Sequence, residues 1–136
     1  EFEPALEKSG AAAEPLTRNA EPPKTYPLGL VLKACPEIAD YAVEGIGNWR
    51  DFMITAAQVR GYLGVSPSAY EDACHVMGQE IAAVVIACIL QRAQHIDSAG
   101  GYLRVLTEKA RAGEFSVGPM LMAALRANGA TAKMTG

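Results

Sequence analysis

The sequence predicts an all-α domain, a compact bundle of six or seven helices with short connections. Three observations lead there. From position 28 onward the apolar residues recur at helical steps of three and four. Ser, Pro and Gly stand where helices should start and stop. No run alternates with period two, and no Asn-Gly or Asp-Gly pair joins two apolar strands.

Residues 1–27 stand apart. They hold five of the eight prolines and five glutamates against three basic residues, with no sustained apolar period. They read as a disordered, acidic, proline-rich linker. The chain does not open with Met, so it reads as a segment of a longer protein, and Glu1-Phe2 is compatible with a cloning remnant.

The first helix is expected over 28–34, stopped by Cys35-Pro36, because Pro disfavours helical backbone in the residue before it. Pro36 suits the first turn of a short helix over 36–43. A longer helix follows over 46–63, with Ile46, Trp49, Met53, Ala56 and Leu63 on one stripe. Gly64 takes the left-handed cap position, and Val65 can fold back onto that helix. Ser66-Pro67 is a cap followed by a first-turn proline, opening a helix that ends at Met77-Gly78. The segment 79–94 comes next, and its middle, 81–90, is apolar on every face. A helix with no polar side belongs at the centre of a bundle. Asp97 or Ser98 caps a helix over 99–112, ended by Gly113. Ser116 caps the last, with Pro119 in its first turn, running to Ala127 before Asn128-Gly129. The ordered domain is thus 28–129, and 130–136 reads as a frayed tail.

Composition bounds the function. Of the 136 residues half are hydrophobic, yet 24 are alanine and only 7% are aromatic. The longest apolar run, 81–90, is about half of the ~20 residues that a membrane helix needs, and no basic-then-apolar leader is visible. Cys35, Cys74 and Cys88 are odd in number and widely spaced, so reduced thiols and a cytoplasmic protein without membrane contact are expected. Cys74 beside His75 reads as a small thiol next to a surface imidazole, because helical neighbours point ~100° apart. No phosphate loop or Gly-x-Ser-x-Gly elbow occurs. Glu37, Asp40 and Glu44 form a solvated acidic face, and no nucleophile, base and stabiliser converge. The expectation is a protein that is not an enzyme and needs no metal or cofactor.

Charge divides the chain. Residues 28–91 carry three basic and seven acidic side chains, whereas 92–136 carry six basic and three acidic. Arg92, Tyr102, Arg104, Lys109, Arg111 and Arg126 are therefore the candidate contacts to DNA or a partner. Arg104 and Arg111 fall on one helical stripe, and Arg104 is spaced to pair with Glu108. Trp49 and Tyr102 read first as core anchors, since a domain with few aromatics buries them. The last helix has apolar residues on more than one face, so Met120, Met122 and Leu125 are a candidate surface for self-association. Over 28–129 the net charge is near zero, which favours protein contact over autonomous DNA binding.

Several stretches resemble one family: ACPEIADYA at 34–42, NWRDF at 48–52, LGVSPSAYEDACHVMG at 63–78, and the long run 82–125 containing SAGGYLR and GEFSVGPML. These are similar to the C-terminal region of RepC, the replication initiators of repABC-type plasmids in alphaproteobacteria. The resemblance covers about 28–129. It implies a C-terminal accessory domain supporting plasmid replication initiation. It also implies contact with origin DNA made mainly by an N-terminal winged-helix region, and it leaves self-association and host replication proteins as partners. It brings no catalytic residues, and it sets Tyr102, Leu103 and Arg104 inside a signature run.

Overall fold

In the computed structural model, which describes residues 26–135 and side chains as far as 128, Pro27 leads straight into helix α1 (Leu28–Ala34). Pro36 then opens a 3-10 turn, Pro36–Tyr41, where the sequence suggested a short α-helix. Four α-helices follow in close order: α2 (Trp49–Tyr62), α3 (Pro67–Met77), α4 (Gln79–Gln91) and α5 (Ala99–Arg111). A one-turn 3-10 segment, Ala93–His95, separates α4 from α5, and α6 (Val117–Thr135) ends the fold. Among the described residues there is no strand. The all-α bundle is therefore the fold.

The caps obey local chemistry. Asn48, not Ile46, begins α2: its side chain accepts from the Asp51 N–H at 2.8 Å, while Asp51 accepts from the Gly47 N–H at 3.0 Å. Two orphan donors are satisfied reciprocally. Ser66 accepts from the Ala69 N–H at 3.2 Å, and Ser98 from the Gly101 N–H at 3.0 Å. Helices α2 and α5 both close with a left-handed glycine, Gly64 at φ +81° and Gly113 at φ +76°. Behind each glycine, the next N–H reaches back five residues, Val65 to the Arg60 carbonyl and Glu114 to the Lys109 carbonyl. This pairing uses carbonyls that a helix end would otherwise leave bare.

Helix α4 is the centre. Residues 82–90 are all at most 7% exposed, so the helix offers water no side along nine consecutive positions. It is covered by α2, α3, α6 and the first 3-10 turn, while α5 lies on α3 and α1 on α6. Helix α2 contributes Phe52, Ala56 and Val59 to the core, and α6 contributes Val117, Leu121 and Ala124. The two buried hydroxyls are satisfied within their helices: Thr55 donates to the Asp51 carbonyl and Thr107 to the Leu103 carbonyl, each at 2.8 Å.

Cys35 and Cys88 meet in the core with their sulfurs 3.6 Å apart, both reduced. The hydrogen bond to Cys88, and then burial, push the Cys35 thiol above the usual range. Neutral, buried thiols are packing residues and poor nucleophiles.

Three further boundaries differ from expectation. Helix α4 stops at Gln91, because that side chain turns to the 3-10 turn and accepts from the Glu37 N–H at 3.0 Å. Helix α6 passes through Asn128-Gly129 and runs to Thr135. Asn128 does not terminate it; the amide donates instead to the Ala34 and Lys33 carbonyls at the end of α1. Tyr26, placed in the linker by composition, packs against the core, with its hydroxyl 2.8 Å from where a Cβ on Gly118 would stand. Of the linker expected over 1–27, residues 1–25 lie outside the described residues, as does Gly136.

The Asn128 contact yields a test. Asn128→Ala removes the donor to two terminal carbonyls of α1 and should cost about 1–2 kcal/mol. Differential scanning calorimetry should show a melting point several degrees lower; an unchanged value would mean that α1 is held by its apolar face alone.

Candidate interaction surfaces

Helix α5 is amphipathic in a simple way. Leu103, Leu106 and Thr107 face the core, which turns Arg104, Val105 and Lys109 outward. Val105 is 53% exposed, an apolar residue with a cation on each flank. Among the described residues no ion pair involves Arg104 or Lys109, so both cations stand ready for a partner.

Arg111 does not share that freedom. Its Nη2 lies 2.8 Å from Asp72 Oδ2 on α3 and 3.3 Å from Glu108 Oε2, and its Nε donates to Glu108 Oε1 at 3.3 Å. Hydrogen bonds to Glu108 first and Asp72 next raise the guanidinium pKa further. Two carboxylates on one guanidinium leave no net positive charge there, so Arg111 ties α5 to α3 and leaves the basic stripe. Glu108 accordingly goes to Arg111 at i,i+3 and not to Arg104 at i,i+4.

The remaining predicted contacts lie elsewhere. Arg92 and His95 are exposed on the turn after α4 and line two clefts. One, of about 290 Å³, is completed by Ile96, Asp97, Ser98 and Tyr102; the other, of about 430 Å³, by Gln91, Asn128 and three alanines of α6. Tyr102 is half-buried and packs against the core as well as edging the smaller cleft. Arg126 is exposed on α6. Met120, Met122 and Leu125 are half-buried against the core and do not form an open apolar patch. Their surplus over one face is taken up because α6 is covered by both α1 and α4.

The conspicuous exposed apolar residues are ones that the sequence did not single out as a surface. Tyr62 is 74% exposed and Tyr41 is 41% exposed, with ring centroids 5.7 Å apart at 35°. Val43, two residues on, is fully exposed. Asp40 and Glu44 are exposed beside them. Tyr62 sits off the Ile46–Trp49–Met53 stripe, and that was the available signal: an aromatic on the polar side of an amphipathic helix.

A third surface is a shallow apolar groove of about 310 Å³ among α2, α3 and the start of α4, with Met53, Ile54, Tyr70 and Cys74 in it and Arg50 at its edge. Burial raises the Tyr70 hydroxyl well above its usual range, so it stays protonated. Burial likewise raises the Cys74 thiol. His75 is exposed. Among the described residues no three His, Cys, Asp or Glu side chains converge to hold a metal ion. Nor is any helix there long and apolar enough to cross a membrane.

Comparison with known proteins places these surfaces in context. The family profile described as "Replication protein C C-terminal region" matches residues 27–127. A putative replication protein C of Rhizobium rhizogenes is 54% identical over 132 residues, which is 95% of this chain and 33% of that protein. A putative replication protein C of Sinorhizobium fredii is 53% identical over 137 residues, 98% of this chain and 34% of that protein. The chain thus spans about a third of the length of the curated relatives it matches. No solved structure matches.

Proposed function

The chain belongs to the replication protein C C-terminal region family, and on that premise we propose that it is a non-catalytic accessory domain of a plasmid replication initiator, working in the cytoplasm by protein–protein contact. One observation carries this reading. Of the large apolar residues left in water, Tyr41 and Tyr62 meet ring to ring, and the fully exposed Val43 follows Tyr41 by two residues. Single exposed apolar side chains need no explanation, but an adjoining set with an aromatic pair has the character of a contact surface. The buried core, by contrast, is apolar, built largely from alanine, valine and isoleucine around Phe52.

Auxiliary contact with origin DNA is the second reading, supported by the exposed Arg92, Arg104, Lys109 and Arg126. With Arg111 neutralised, only a few phosphates can be met. The isolated affinity expected is in the non-specific range, on the order of 10⁻⁴ to 10⁻⁶ M, with a shallow salt slope.

The decisive measurement is replication itself. In a plasmid that depends on an initiator carrying this sequence, Tyr41→Ala with Tyr62→Ala should lower copy number several-fold. Because both rings are exposed, the melting point should hardly move. Gel shifts with origin duplex should be unaffected by the same pair. Unchanged copy number, or a loss confined to DNA affinity, would remove protein contact as the domain's role.

A further inference from the structure

Resting on the protein-contact reading, we infer that the partner of the Tyr41–Tyr62 end is a second copy of this chain, in a two-fold dimer. Two patches on the molecule are complements of each other. In one, Tyr41, Val43 and Tyr62 form an apolar centre beside the carboxylates of Asp40 and Glu44. In the other, Val105 is the exposed apolar residue, with Arg104 and Lys109 on either side of it. Two neighbouring charges are already engaged. Arg60, two residues before Tyr62 and so on another face of α2, donates to the Val65 carbonyl at 2.9 Å, and Glu108, on the α5 side, is held by Arg111. What is left exposed is negative on one patch and positive on the other.

The placement of the patches favours a closed pair. The α2–α3 turn that follows Tyr62 lies against the start of α5, where a Cβ on Gly100 would be 3.6 Å from the Gly64 carbonyl oxygen. Arg104 begins one turn further along. The Tyr62 end of one patch and the Arg104 end of the other therefore border the same turn. When two complementary patches adjoin, a two-fold axis between them lets each copy give its acidic–aromatic patch and receive on its basic one. The same axis brings like charges together only if the pairing is wrong, so the register is set by electrostatics. Carboxylate–ammonium and carboxylate–guanidinium pairs at the rim are weak singly and screened by salt. The dimer is accordingly reversible and depends on concentration.

A charge swap tests it on the whole 136-residue chain. Sedimentation equilibrium up to a few hundred micromolar should show a monomer–dimer equilibrium that weakens with added salt. Asp40→Lys with Glu44→Lys gives a chain whose two patches are both basic. Arg104→Glu with Lys109→Glu gives one whose two patches are both acidic. Each alone should dimerise at least about tenfold more weakly. Mixed one to one, they should recover a dimer, because each now offers what the other lacks. All four positions are exposed, and circular dichroism verifies that both variants are folded. A wild-type chain that stays monomeric, reversals that leave association intact, or a mixture that fails to restore it would each overturn the dimer. If the chain is monomeric while the tyrosine variants still lower copy number, the dimer falls and the protein-contact reading stands on another partner. A charge-swapped dimer without any copy-number effect keeps the dimer and sinks the functional reading.

Discussion

Ile89→Asp should abolish the fold. Ile89 is fully buried in α4, within nine consecutive buried residues. The helices that cover α4 form an apolar core in which no buried residue is charged, so no cation is placed to receive a carboxylate. An unpaired charge in such a site costs several kcal/mol even after relaxation, and protonation recovers only part of it. A domain of this size has a total stability of about 5–15 kcal/mol. The expected result is loss of most of the helical circular dichroism at 25 °C and no cooperative melting transition. Ile89→Asn separates charge from polarity: it should destabilise severely and by less. Gln79→Asp, at the exposed first position of the same helix, should be neutral or slightly stabilising, since an anion there faces the positive end of the helix dipole. If Ile89→Asp melted near the wild type, α4 would have to be a surface helix.

How much of this was legible in the sequence varies with the physics that decides each feature. The centrality of α4 was legible, because ten apolar residues in a row leave a helix no alternative to burial. The glycine and serine caps were legible, since those signals act within six residues of chain. Boundaries governed by distant partners were not. Gln91 ends α4 because of Glu37, and Asn128 fails to end α6 because of Ala34, at separations of 54 and 94 residues. The surfaces divided in the same manner. Periodicity correctly set Arg104 and Lys109 on one helix, but the diversion of Arg111 depends on Asp72, 39 residues away. Tyr62 stood off the apolar stripe of its helix, but only the packing of the 3-10 turn beside α2 makes a pair of it and Tyr41.

Phe52→Ala should cost about 3–5 kcal/mol, the range for a large aromatic removed from a core. Phe52 is the largest of the fully buried side chains. It sits one turn into α2, on the face that carries Ala56 and Val59, and α2 is a principal cover of α4. The ring also meets Trp49 edge to face, with centroids 5.3 Å apart at 86°, a geometry worth about 0.5–1.5 kcal/mol beyond area. The core cluster that would have to collapse into the space is largely alanine and valine, Ala56 and Val59 of the same helix among them. Short side chains have no reach with which to fill a void, so relaxation is poor and the cavity persists. At roughly 4–8 °C per kcal/mol for a domain of about 100 residues, the melting point should fall by more than about 12 °C. Phe52→Leu keeps much of the volume but forfeits the edge contact, and should cost clearly less. The order is what matters: a Phe52→Ala loss below about 1 kcal/mol would mean that α2 does not seal the core. In that case the Tyr41–Tyr62 contact, which depends on the end of α2 standing where it does, would lose its scaffold.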